Sequence, residues 1–245
     1  MKPRLLRLCV ATLAVAGFLA LSPRASAGTI NITFDAGVNG TPVSYNPGGG
    51  AAKTVTGGPF HWTQTTPINT AYDAKITTYC IDLGRAVPSG TVTYTTSTNL
   101  ADAATINVVG NTAATALKVS EINMLFERYY MMTPVSTYAA AFQLALWELV
   151  YDGGASKSLA AGSIQGNNTL AQQMLNGTYT PSGGNLNGFH LEVLVSAYNQ
   201  NQIMVVKDPV TPKGIPAPPA VMLAGIGVLA LFGRSRWTRR TPAAA

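Results

Sequence analysis

The chain has 245 residues, of which 47% are apolar and 11% charged, with a formal net charge of +6. That apolar content excludes a disordered chain. The basic balance belongs to the two ends, since residues 28–215 carry eight Lys and Arg against ten Asp and Glu, and this removes the main support for a nucleic-acid-binding body.

Residues 1–27 read as a secretory leader. Lys2, Arg4 and Arg7 precede an apolar run from Leu8 to Leu21, and Ala25-Ser26-Ala27 offers the small-x-small pattern that is cut between Ala27 and Gly28. An uncleaved anchor is the other reading. Cys9 lies inside the apolar run and leaves with it.

The body follows. Residues 29–108 are rich in Thr, Val, Ile and Tyr with frequent Gly and Pro breaks, and segments 30–34, 43–45, 60–63, 75–82 and 91–97 alternate or cluster as short strands. From Asn111 the texture changes. Residues 112–132 carry Leu117, Glu121, Met124, Leu125 and Arg128 at helical spacing, with Ile122, Phe126 and Tyr129 on neighbouring faces, and Thr133-Pro134 breaks the pattern. A second helix opens at Pro134 or Ser136, runs to Tyr151 and stops at Asp152-Gly153-Gly154. Residues 168–175 predict a third helix, 187–199 a fourth, and 202–207 a closing strand. The expectation is one α+β domain over residues 28–209, a strand-rich sandwich or barrel with a helical layer.

Residues 210–219 form a Pro-rich spacer, 220–233 an apolar segment, and 234–245 a tail with Arg234, Arg236, Arg239 and Arg240. The apolar run reaches only ~20 Å as a helix against a hydrocarbon core of ~30 Å. Extension back to Ile215 and snorkelling of Arg234 bring it closer to a span. The Arg cluster keeps this end cytoplasmic and leaves the body outside. The order Pro216-Ala217-Pro218, short membrane helix and Arg-rich tail resembles the PEP-CTERM sorting signal, with Ala217 where that family carries Glu. The resemblance implies an exosortase-type sorting protease as partner. It also implies transient anchoring in the inner membrane and delivery to the cell surface or extracellular matrix. A permanent C-terminal anchor is the alternative.

With the leader gone, Cys80 is the one remaining cysteine. In an oxidising compartment such a thiol is buried and inert, paired with another chain, or engaged in other chemistry. A strand through residues 77–82 sets Cys80 on one face with Thr78 and Asp82, and Tyr79 with Ile81 on the other. On the second helix, Gln143 has Ala139, Ala140, Leu146 and Trp147 three and four positions away, an apolar face. A buried carboxamide left unpaired costs about 1–3 kcal/mol, so it needs a partner. A hydrogen bond to a neighbouring strand is one way to supply it.

Two local sequences taken together resemble the signature motifs of the Cys–Gln thioester domains of bacterial surface proteins. The first is Tyr79-Cys80-Ile81, aromatic-Cys-apolar. The second is Phe142-Gln143, two residues, Leu146-Trp147, two residues, Val150, and both occur in the family's order. The resemblance implies that the Cys80 sulfur attacks the Gln143 carbonyl and expels ammonia, with Tyr79, Phe142 and Trp147 shielding the thioester. A surface or matrix nucleophile, an amine or a hydroxyl, would then take the acyl group and release the thiol. The bond forms once per molecule, which is not enzymatic turnover, and no cofactor is implied. The alternative is a non-reactive structural matrix protein of the same fold with a buried thiol. A cysteine hydrolase would need His61 as its base, and His61 is also the candidate to assist acyl transfer. Two histidines and one thiol make no metal cluster, and residues 48–54 approach a phosphate loop but carry Ala52 where Gly is required before Lys53.

Overall fold

A computed structural model of the chain describes residues 28–36, 40–45, 51–130, 136–153, 157–181 and 186–208. The leader through Ala27, the Pro216-Ala217-Pro218 motif, the apolar segment 220–233 and the Arg-rich tail lie outside the described residues. In chain order the strands are β1 (Gly28–Ala36), β2 (Thr41–Tyr45), β3 (Lys53–Gly57), β4 (Phe60–Gln64), β5 (Lys75–Cys80), β6 (Thr91–Ser97), β7 (Ile164–Gln165), β8 (Phe189–Val195) and β9 (Gln202–Lys207). The helices are α1 (Thr112–Tyr129), α2 (Ser136–Tyr151) and α3 (Thr169–Asn176), with a 3-10 turn at Leu100–Asp102.

Six strands close into an antiparallel barrel in the order β1-β4-β5-β9-β8-β6, and β3-β2-β7 form a separate three-stranded sheet. Inward positions carry Ile30, Ile32, Trp62, Ile76, Thr78, Tyr94 and Met204, all buried. The barrel's two halves differ in their outward faces. On β1, β4 and β6 that face is Thr29, Thr33, His61, Thr63, Thr91, Thr93 and Thr95, exposed or half-buried. On β5, β8 and β9 it is Tyr79, Leu191, Val193 and Ile203, buried. Water meets the first half and the helical layer covers the second, so only the first half alternates cleanly in sequence.

That difference explains a correction. Residues 189–195 are strand β8, not part of a fourth helix: they pair with β6 and β9 on both sides, and Leu191 through Leu194 are all buried. A strand buried on both faces lacks the clean alternation that would separate it from a helix. Gly188, at φ +74°, turns the chain into it.

The helices form for local reasons. Asn111 caps α1 by accepting from the Ala114 N–H at 2.9 Å, and Asn168 caps α3 by accepting from the Ala171 N–H at 3.0 Å. Gly177 closes α3 at φ +67°. The core stripe of α1 is Ile122, Leu125, Phe126 and Tyr129, whereas Leu117 and Met124 face solvent. Helix α2 is buried on every side from Ala139 to Val150. It packs against α1, α3, β5 and the small sheet. Ala139, Ala140, Ala141 and Ala145 are small enough to let these neighbours approach.

Candidate functional site

The pairing of β4 with β5 ends at Phe60 opposite Thr78. Continued by one more step, the register would set Gly58 opposite Cys80, but Gly58-Pro59 carries the chain from β3 to β4 and supplies no ladder there. On the other side of β5, Cys80 stands opposite Gln202, and the next residue, Ile81, donates its N–H to the Asn201 carbonyl at 3.1 Å. Antiparallel pairing alternates, so the N–H and C=O of Cys80 both turn toward the vacant β4 side. Left there, they would be two buried orphans.

Gln143 fills that place. Its Oε1 accepts from the Cys80 N–H at 3.0 Å, and its Nε2 donates to the Cys80 carbonyl at 2.9 Å. A side chain from α2 thus completes the sheet where the strand runs out. Both residues are 0% exposed. The structure therefore brings together the two residues the motifs single out, across 63 positions of chain.

The aromatic residues that precede them meet as well. Tyr79 and Phe142 lie with ring centroids 4.8 Å apart, and Phe126 of α1 joins them at 6.1 Å and 4.8 Å respectively. Because each aromatic is one residue before a member of the Cys80–Gln143 pair, this edge-to-face cluster fixes α2 against β5 in register. Tyr79 and Phe142 brace the pair from the helical side.

Trp147 lies on another side, one turn past Gln143. Its Cζ3 edge closes on β3, where Gly57 leaves room: a Cβ at Gly57 would stand 3.2 Å from Cζ3 and 3.6 Å from the Gln143 Cγ. Trp147 also forms a wall of a cavity of about 440 Å³ at the barrel end, lined further by Phe34, Val55, Phe60, Arg85 and Val87. Sequence reasoning missed Gly57. The cue was the Gly57-Gly58-Pro59 run, which ends one sheet and opens the other.

Burial pushes the Cys80 thiol up to about 12. The Asp82 N–H, 3.4 Å from Sγ, and the Trp147 indole pull the other way, while the Asp82 carboxylate adds to the rise. The sulfur is therefore held as a neutral thiol at ordinary pH. Inside the barrel, Trp62 Nε1–H donates to Thr78 Oγ1 at 2.8 Å, Thr78 to Gln202 Oε1 at 3.0 Å, and Gln202 Nε2 to Gln200 Oε1 at 2.9 Å. This chain satisfies the interior polar groups beside Cys80 without adding charge.

Glu148, one residue past Trp147, is fully buried and was not singled out in the sequence. Its Oε1 accepts from the Ser158 N–H at 2.9 Å, and burial lifts its carboxyl to about 7. It serves the contact of α2 with the segment before α3 and does not reach the Cys80–Gln143 pair.

His61 is not brought to the pair. It is exposed on the outward face of β4, with Nδ1 3.3 Å from Thr77 Oγ1, whereas Cys80 and Thr78 face inward. The assisting-base role expected of it is not one this placement serves. Lys53 of the glycine-rich segment opens strand β3. Among the described residues no His/Cys/Asp/Glu group of three or more is placed to hold a metal, and no helix is long and apolar enough to cross a membrane.

No family model, curated protein or solved structure matches this chain.

Proposed function

We propose that the body is an exported surface or matrix module that forms an internal thioester between Cys80 and Gln143 and uses it once, to attach covalently to a nucleophile on its target. The observation that carries this reading is the pairing of the Gln143 carboxamide with the main chain of Cys80 itself, both residues shut off from solvent.

The chemistry follows from that arrangement. The carboxamide lies along the hydrogen-bonding edge of the strand, while the Cys80 side chain leaves the strand perpendicular to the sheet. A sulfur must approach a carbonyl carbon from above its plane, and a side chain perpendicular to the sheet offers an approach of that kind. Held placement of this kind is worth effective molarities of roughly 10⁵–10⁸ M and compensates for a poor electrophile. The Cys80 N–H already donates to Oε1, the atom that gains charge as the carbon becomes tetrahedral. The S–C bond forms, the C–N bond breaks, and the thiol proton leaves with the nitrogen as ammonia. In the reverse sense, a target amine attacks the acyl carbon, the C–S electron pair returns to sulfur, and an amine proton follows it. The cavity bounded by Trp147 is the approach this reading gives to the target. The leader, the Pro216-Ala217-Pro218 signal, the membrane helix 220–233 and exosortase-type sorting belong to the same proposal and account for delivery to the outside.

Methylamine tests it. The expected product carries one methylamide on Gln143, found by peptide mapping, and gains one titratable thiol at Cys80. Absence of both leaves the second reading, a non-reactive structural protein. One observation favours that reading: the two hydrogen bonds already give both the oxygen and the nitrogen of the carboxamide a partner without any reaction.

A further inference from the structure

Glu192 of β8 is buried and stands opposite Met204, on the inward face of the barrel. A buried carboxylate is costly unless it is hydrogen-bonded and compensated by positive charge. Its Oε1 lies 3.0 Å from His190 Nε2, a cation only when that ring is protonated. Its Oε2 accepts from the Tyr72 hydroxyl at 2.7 Å. That hydroxyl has one proton to give, so the Tyr72 oxygen is left to accept from the Thr96 hydroxyl, 3.0 Å away. Thr96 Oγ1 in turn accepts from the Gly28 nitrogen at 3.2 Å. Every donor along this relay points toward the carboxylate, and the relay begins at the first residue of β1. Burial, reinforced by Glu192, pushes the Tyr72 hydroxyl up to about 12 against the pull of Thr96, so it remains a donor. The surroundings are built to hold it. The Gln64 carboxamide accepts from the Asn69 N–H at 3.0 Å and donates to the Tyr72 and Asp73 carbonyls at 3.0 and 2.9 Å, which fixes Tyr72. At residue 28 a Cβ would stand 3.1 Å from Thr96 Oγ1, so glycine is what lets the nitrogen come this close.

We propose that the barrel carries a binding site for its own α-ammonium group: cleavage between Ala27 and Gly28 turns the Gly28 nitrogen from a neutral peptide N–H into a cation seated on the Thr96–Tyr72–Glu192 relay, where it compensates the buried carboxylate. This rests on the leader cut of the proposed function and is independent of the thioester. Hydrolysis adds water across the C–N bond, so the carboxyl stays on Ala27 and the protonated amine on Gly28. An uncut chain has no charge at that place. Processing is thereby coupled to barrel closure, since β1 joins β4 to β6 and the new charge ties the strand down at its first residue. The ionisable groups on the relay are Glu192 and His190 of β8 and Tyr72 of the segment before β5. The Glu192 charge favours the protonated amine and raises its pKa above the ordinary value of about 8. The stability so gained is complete below that value and is lost as pH rises through the raised one.

The test follows that amine's titration. A chain with an engineered protease site in place of the leader is cut to leave Gly28 first. Trace acetic anhydride acetylates the α-amine, and the rate against pH, read by peptide mapping, gives its pKa whatever its accessibility. The folded chain is expected to titrate roughly one pH unit above the same chain in urea, about tenfold less free amine near neutral pH, the scale of one charge pair at an effective dielectric of about 20. Glu192→Gln should abolish the rise. Tyr72→Phe, which keeps the ring and breaks the relay, should at least halve it. A folded amine that titrates like the unfolded one, or a rise unchanged in either variant, overturns the site. N-terminal sequencing of the chain recovered from its host separates the two premises. A first residue other than Gly28 overturns the proposal together with the leader cut, whereas Gly28 first with no rise overturns the site alone.

Discussion

Gln143→Ala is expected to unfold about 3 kcal/mol more easily than Cys80→Ala, as read by urea denaturation of the two variants side by side. The order is the reverse of what side-chain polarity alone suggests. Alanine at 143 removes both partners of the Cys80 N–H and C=O, and leaves two buried main-chain groups facing the gap where β4 has ended. Each such orphan costs about 1–3 kcal/mol. Alanine at 80 keeps that main chain and therefore both hydrogen bonds, and it loses only a small apolar side chain. Both variants lack the capacity to form a thioester, so a cross-link cancels from the comparison. Equal stability would mean that the carboxamide is not the missing rung of the sheet.

The second large effect is expected from opening the proposed cross-link. A thioester between residues 80 and 143 closes a loop of 63 positions, and closure of that size stabilises the native state by about 4 kcal/mol through the unfolded chain. Formation expels the Gln143 nitrogen and with it the hydrogen bond to the Cys80 carbonyl, which offsets about 1 kcal/mol. Opening by methylamine should therefore lower stability by about 3 kcal/mol. For a body of this size that is a fall in melting temperature of roughly 10 °C. A Gln143→Ala sample treated in the same way should not shift. If wild type also keeps its melting temperature after full methylamine labelling, the cross-link holds no fold together.

Much of this arrangement was legible from residue patterns. The Thr-rich strands alternate because one half of the barrel meets water, so β1, β4 and β6 were found close to their bounds. The helices announced themselves by Asn111, Asn168 and Gly177 at their ends. Strand β8 was hidden because Leu191–Leu194 are covered on both faces, and only pairing with β6 and β9 decides its conformation. The small sheet was half visible: β2 showed in Val43, but Lys53–Gly57 carries little apolar signal and is a strand because β2 pairs with it. At the site, the motifs pointed to Cys80 and Gln143. They could not show that the contact runs through the Cys80 main chain, since that depends on where β4 stops. His61 was drawn in by proximity along a strand, yet the alternation of side chains sends it to the outer face, away from the sulfur.

The measurement that bears most directly on the proposed bond is the intact mass of the untreated body. A thioester between Cys80 and Gln143 makes it lighter than its sequence by one ammonia, a deficit that disappears in Cys80→Ala and in Gln143→Ala. Full sequence mass, together with one reducible-agent-independent free thiol on gentle unfolding, would contradict the account.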